Sequence, residues 1–400
     1  MHRRRCNMNP YQQGEFLILD GATGSNLMAA GLPAGVCVET WVAEHPAVLQ
    51  NLQQEFVKAG SGVVLASTFG ANPQKLSSYH LESQTDSLNK QLYTLSVDGV
   101  GDSAVVAGDV SPSGLFLAPM GDATFDDLLQ IYNAQIAALQ QAGAELVVIE
   151  TQMTMADARA ALICAKKRGL TAFVTITVEA GGRTLSGMSL PAAVVTLQSM
   201  GADAVGLNCS CGPVSMAELL KEAAPVAKVP LIAKPNAGEP GNPLPPEQFG
   251  QAAASLADCG AVILGGCCGT TPDHIACLVK ELQGKTPQTA KSTEEYLSDE
   301  RQVYALSQNP VTETFAVTED LMDDLMDVDP DTDLVVLSLQ SAEDAHLLAD
   351  ALSVCRVPLC FASNNTDALT AALKVYQGRA AVQGEGVTSE LIQIFGCLPL

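Results

Sequence analysis

Between about residues 15 and 283, eight short apolar runs alternate with stretches of helical spacing. The runs are F-L-I-L-D (16–20), V-V-L-A-S-T (63–68), A-V-V-A-G-D (104–109) and E-L-V-V-I-E-T (145–151). They continue with A-F-V-T-I-T-V (172–178), A-V-G-L-N-C (204–209), P-L-I-A-K-P-N (230–236) and A-V-I-L-G-G-C-C (261–268). Near-continuous apolar runs of this kind predict parallel strands covered on both faces. The intervening segments carry apolar residues every three or four positions, as at Leu128, Ile131, Ala134 and Ala138 before Gly143. Eight strand–helix units in this length predict a (β/α)₈ barrel over residues 15–284, preceded by an extension over 1–14.

The character changes near residue 285. G-K-T-P-Q-T-A-K-S-T reads as a linker, assigned to 285–300. Residues 301–400 carry 15 acidic and 4 basic residues, a balance of −11. They alternate strand-like and helix-like segments again, which predicts a small acidic α/β unit following the barrel. The acidic run 319–333 places Leu321, Leu325 and Val328 at helical spacing, a short amphipathic helix with a solvated face.

Polar residues end the barrel runs. Asp20, Thr68, Asp109, Glu150, Cys209, Asn236, Cys267 and Cys268 all fall at or just after the C-terminal end of a predicted strand. Barrels of this type build their sites there, from the ends of several strands.

Composition narrows the partners. The chain has 44 acidic and 21 basic residues, a net charge of −23. That excludes the basic footprint of a nucleic-acid binder and disfavours anionic membrane surfaces. No apolar run is long enough to span a bilayer, and the basic start lacks the apolar stretch of a secretory signal. The expected location is the cytoplasm, where 12 cysteines serve as ligands, catalytic groups or buried thiols rather than disulfides. The buried-thiol reading is applied to Cys6, Cys37, Cys164, Cys259, Cys277, Cys355, Cys360 and Cys397.

Cys209, Cys267 and Cys268 are read differently. The barrel can bring strands six and eight together, giving a metal three sulfur ligands and one open corner, the mark of a catalytic zinc. Adjacent Cys267 and Cys268 are poor disulfide partners, and Gly265, Gly266 and Gly269 give the turn freedom to bend around an ion. Cys211, two residues after Cys209, falls in the loop beyond the strand. Three thiolates and Zn²⁺ sum to −1, which suits thiolate alkylation better than activation of water. Thr271-Pro272 reads as a helix N-cap and first helical residue.

The segments L-D-G-A-T-G-S, A-S-T-F-G-A-N, G-D-V-S-P-S-G, V-I-E-T, G-L-N-C, K-P-N-A-G and G-G-C-C-G-T-T-P-D-H occur in this order. Together they resemble the zinc-dependent homocysteine S-methyltransferase family, with the strongest likeness to the N-terminal homocysteine-binding module of cobalamin-dependent methionine synthases. The resemblance implies one zinc ion on Cys209, Cys267 and Cys268, with homocysteine bound to it through sulfur. Glu150 and Asp20 are then the partners of its ammonium. Backbone N–H groups at Gly21 and the hydroxyl of Thr68 are candidates for its carboxylate. Asn236 is placed to offer its amide oxygen to the zinc when substrate is absent.

Residues 333–384 faintly resemble the opening strands of a pterin-binding barrel, but Ser338 and Ala362 stand where polar pterin contacts are expected. The expected donor is methylcobalamin on a corrinoid partner protein, with a separate folate-binding methyltransferase subunit and residues 319–333 helping to dock the partner. A direct S-methylmethionine or betaine donor is the second reading. A non-catalytic zinc- or thiol-binding subunit is the third.

Overall fold

The computed structural model describes residues 10–118, 120–179, 181–239, 241–288 and 292–400. All eight predicted strands form. They are β1 (Leu17–Ile18), β2 (Val63–Leu65), β3 (Val105–Val110), β4 (Leu146–Gln152), β5 (Thr171–Ile176), β6 (Ala204–Cys209), β7 (Leu231–Pro235) and β8 (Ala261–Leu264). Their order in the sheet is β1-β8-β7-β6-β5-β4-β3-β2, and every pairing is parallel. A parallel bridge from Leu19 to Val63 joins the two end strands into a ring. The result is a nearly closed TIM-type barrel with helices outside.

Side chains alternate along each strand, and this alternation decides what fills the barrel. Leu17, Leu19, Val63, Leu65, Ala107, Leu146, Val148, Phe173, Ala204, Ile232 and Val262 form one buried interior cluster. One more inward step reaches Asp109, Glu150, Thr175 and Lys234, and two steps past Ala204 reach Asn208, all buried. The barrel is therefore apolar below and polar above, and the polar layer floors the C-terminal mouth. The outward residues of the same strands join the helices in a second, larger core. In helix Phe125–Gln141 the buried stripe is Leu128, Tyr132, Gln135, Ile136 and Leu139, while Ala134 is exposed.

A second parallel sheet follows, built in sequential order from Thr312–Ala316, Leu334–Ser338, Leu359–Ala362, Ala381–Gln383 and Leu398–Pro399. Tyr296–Ser298, at the end of the stretch read as linker, is not loop: it pairs antiparallel with Val303–Ala305. Leu297 of this hairpin packs on one face of the sheet with Leu334, Val336, Cys360 and Ala381. The acidic run forms helix Leu321–Met326, with Leu321 and Leu325 buried and Val328 just past its end.

Arg159, on helix Met155–Lys167, ties the two parts together. It is buried and donates to the carbonyls of Leu373 at 2.5 Å and Tyr376 at 2.7 Å. These carbonyls lie at the end of helix Thr366–Val375, where backbone acceptors lack intrahelical partners. The guanidinium also sits 5.3 Å from the Phe125 ring centroid and 5.9 Å from that of Phe395. Thr196 and Ser298 share a hydrogen bond of 2.9 Å nearby. A cavity of about 1010 Å³ separates the β3 and β4 loops from the second unit, lined by Phe116, Phe125, Met155, His346 and Lys374 among others.

No helix among the described residues is long and apolar enough to cross a membrane. Cys37, Cys164, Cys355, Cys360 and Cys397 are buried, as expected; Cys259 and Cys277 are only half-buried, and Cys6 lies outside the described residues.

Candidate metal centre at the barrel mouth

Cys209, Cys267 and Cys268 converge, with their three sulfurs all within 4.8 Å of one another. The Cys209 and Cys268 sulfurs are 3.8 Å apart. Two thiolates each about 2.3 Å from a tetrahedral zinc would be separated by about 3.8 Å, so this spacing fits the ion. The thiols also resist ionising together. Hydrogen bonds from Cys267 and Cys268 push the Cys209 thiol well below its usual value, while both of its neighbours are pushed up. Adjacent anions disfavour one another, and a cation between them removes that penalty.

Local backbone geometry sets the sulfur positions. Cys209 and Ser210 both have φ of 59°, left-handed values that non-glycine residues adopt at a cost. Ser210 is held there by its side chain: its hydroxyl accepts from the Val178 N–H at 2.8 Å and bonds the Thr177 hydroxyl at 3.0 Å. Strain of this kind concentrates at functional sites, where surrounding bonds enforce it. Across the barrel, the β4–β5 register shifts between Ile149 and Gln152, and Thr151 has φ of 60°. That irregularity lies beside Glu150.

The turn after β8 is held by space as much as by flexibility. Only Gly269 of its glycines has positive φ, at 79°. Gly266 is needed for a different reason: a Cβ there would lie 2.3 Å from the Thr270 hydroxyl oxygen. That hydroxyl donates to the Cys267 carbonyl at 2.7 Å and accepts from the Ala22 N–H at 3.1 Å, so it pins the first loop to the cysteine loop. Backbone bonds from Cys267 to Pro235 (2.8 Å) and from Ala237 to the Cys268 carbonyl (2.9 Å) lock the β7 and β8 ends together. Thr271 does cap helix Pro272–Leu282. Cys211 lies outside the three-sulfur cluster.

Asn208 connects the metal residues to the polar floor. Its amide oxygen accepts from the Thr151 N–H at 2.7 Å and the Thr175 hydroxyl at 2.8 Å. Its amide nitrogen donates to the Thr151 hydroxyl at 2.8 Å and reaches the Cys267 sulfur at 3.6 Å. Asn208 and Thr270 were not singled out as site residues from the sequence. Inward alternation along β6 is the signal that would have found Asn208.

The remaining candidates fall around this centre. Asn236 has a buried amide oxygen with no hydrogen-bond partner among the described residues, which fits a ligand in reserve for a cation. Glu150 is buried and forms an ion pair with Lys234, whose side chain is almost completely covered. Asp20 accepts from the Leu65 N–H at 2.8 Å through one oxygen, and its other oxygen is buried without a partner. Burial pushes the Asp20 carboxyl up to about 7, with Lys234 opposing the rise. Thr68 is fully enclosed, and its hydroxyl donates to the Asp109 carbonyl at 2.9 Å and accepts from the Asp109 N–H at 3.0 Å. Its one hydroxyl proton is therefore committed to tying β2 to β3. At Gly21-Ala22, the Ala22 N–H is taken by Thr270, and a Cβ on Gly21 would lie 2.6 Å from that same hydroxyl.

Comparison with known proteins agrees with this arrangement. Residues 17–282 match the homocysteine S-methyltransferase family. The chain is 31% identical over 286 residues to a methionine synthase of Mycobacterium leprae (strain TN), covering 65% of this chain and 24% of that protein. It is 30% identical over 285 residues to the methionine synthase of Mycobacterium tuberculosis (strain ATCC 25618 / H37Rv), again covering 65% and 24%. The chain thus spans about a quarter of the length of these curated relatives. Among solved structures, the metallated form of the homocysteine methyltransferase MmuM from Escherichia coli superposes with a TM-score of 0.58 at 23% identity, over 66% of this chain and 96% of that one. The oxidised form of the same protein gives 0.58 at 24% identity, over 66% and 95%. These two likenesses carry the fold. With the family match across the whole barrel and three sulfurs gathered at its mouth, the chain belongs to the homocysteine S-methyltransferase family of enzymes.

Proposed function

We propose that the chain transfers a methyl group to the thiol of homocysteine, forming methionine, with methylcobalamin on a partner protein as the donor. The observation that carries this reading is the open cluster of Cys209, Cys267 and Cys268 above a floor of buried carboxylates. These cysteines would hold one zinc ion, which supplies a centre that keeps an incoming thiol as its nucleophilic thiolate. Asn236, whose buried amide oxygen has no hydrogen-bond partner among the described residues, would be a further oxygen donor to that ion. Glu150, with Asp20, receives the substrate's ammonium through charge-assisted bonds. Backbone donors near Gly21 are the remaining candidates for its carboxylate. Cys268 is exposed, so the thiolate's outer side faces the approaching donor.

A macromolecular donor is supported by the open side of the cluster, where Cys268 is exposed. Among the described residues of the barrel, the exposed large apolar side chains are scattered singly and mark no docking face. A small sulfonium or betaine donor calls instead for an aromatic cage. The single Trp, Trp41, stacks on His45 with centroids 4.4 Å apart. We further propose that residues 301–400 do not bind methyltetrahydrofolate alone, because five strands cannot enclose a pterin as a full barrel does. Corrinoid and folate would then be bound outside residues 301–400.

The test is methyl transfer by the zinc-loaded chain from free methylcobalamin, S-methylmethionine and betaine, each with homocysteine. The expected result is methionine from methylcobalamin and at most traces from the other two. Turnover with S-methylmethionine or betaine alone would replace the donor assignment, and zinc binding with no turnover from any donor would favour the non-catalytic reading.

A further inference from the structure

Among the described residues, Lys234 is the one cation in the polar floor of the barrel, and the reaction described above gives it no task. It sits two residues beyond Ile232 on β7, on the same inward face, and only 1% of it is exposed. Its ammonium pairs with one oxygen of Glu150 on β4, across the barrel. Three carboxylates share this layer or border it: Glu150, Asp109 and Asp20. Each lies within electrostatic reach of Lys234, and burial pushes all three upward. Asp20 and Asp109 each keep a buried oxygen without a hydrogen-bond partner.

This layer is short of positive charge. One ammonium serves three acids, and two buried carboxylate oxygens are left without donors. Buried polar atoms are normally satisfied, so such orphans point to a missing partner. A second ammonium, brought in by the substrate, would supply both the charge and the donors. The other half of the problem is orientation. A glutamate has freely rotating side-chain bonds, and holding it in one rotamer costs entropy. The Lys234 bond fixes one Glu150 oxygen and thereby the direction of the other.

We propose that Lys234 is a positioning residue that sets the selectivity of the site for an amino thiol: it anchors Glu150 so that the free carboxylate oxygen faces the substrate's ammonium. This rests on the reading of homocysteine as the substrate. The site should therefore discriminate homocysteine from 4-mercaptobutanoate, which has the same chain, thiol and carboxylate but lacks the amine. Sites built to bond a polar group reject analogues that lack it, because their own buried groups are then left unpaired.

Calorimetric titration of the full-length, zinc-loaded chain with both thiols tests this without any methyl donor. Wild type is expected to prefer homocysteine. Lys234→Met should reduce the ratio of the two affinities by about tenfold or more, while zinc stays at one per chain. Glu150→Gln should reduce it similarly, and the double variant should lose no more than Glu150→Gln alone, since Lys234 acts through Glu150. If Lys234→Met does not fold, Lys234→Gln, which keeps a donor toward Glu150 without the charge, should retain part of the preference. An unchanged ratio in Lys234→Met, additive losses in the double variant, or loss of zinc along with the preference would each overturn the proposal. Wild type that fails to prefer homocysteine would instead overturn the substrate reading beneath it.

Discussion

Replacing Cys209 by Ser is expected to leave the barrel folded and to lower methyl transfer to homocysteine by more than about 100-fold, the upper range for losing a mere outer partner of a metal ligand. The argument begins with position. Cys209 ends β6 at a left-handed φ of 59°, and that turn is held by Ser210 and Asn208 rather than by the sulfur. Serine can occupy the same backbone. It cannot supply a thiolate, so two sulfurs would remain where the geometry fits three. Zinc content by atomic absorption should fall well below one per chain, while circular dichroism stays like wild type. Full zinc and full activity in Cys209→Ser would show that the ion sits elsewhere.

Gly206→Ala should do the opposite, destroying the fold before the chemistry. Gly206 is an inward position of β6 and pairs with Ile232 of β7. A Cβ at Gly206 would lie 1.9 Å from the Ile232 carbonyl oxygen and 2.7 Å from its nitrogen and carbonyl carbon. Backbone atoms in the middle of a ladder cannot turn aside as a side chain can, so the two strands must separate. Overpacking of an ordinary core costs about 1–3 kcal/mol; a backbone clash in a ring of strands should cost at least the upper part of that range. Asn208 and Cys209 follow on β6, and Lys234 on β7, so any folded remainder should bind zinc weakly. A melting temperature within a degree or two of wild type would refute this account of Gly206.

The eight strands were legible because each is an unbroken apolar run with polar residues at one end, and parallel strands buried on both faces demand that pattern. The cysteine cluster was legible because Cys209 ends β6 and Cys267 and Cys268 lie just beyond β8, on one rim with only β7 between them. Other features were hidden for physical reasons. Lys234 carries no sign of its partner in the run P-L-I-A-K-P-N; only the inward count from Ile232 and the reach across the barrel reveal its pairing with Glu150. Thr68 carried the right chemistry for substrate, yet its hydroxyl is satisfied by Asp109, a contact between strands that spacing alone does not display. Cys209 and Ser210 adopt left-handed φ without a glycine to announce it, because side-chain bonds from neighbouring loops enforce the turn. Arg159 lies in an alanine-rich helix whose sequence does not show which face meets the second unit, and it is buried there.

The most direct test of the central claim is the sulfur coordination of zinc measured by X-ray absorption on the full chain, before and after adding homocysteine. The account predicts three sulfur ligands plus one lighter atom in the free protein, and four sulfurs once homocysteine is bound. Four sulfurs without homocysteine, or a count that does not change when it is added, would contradict it.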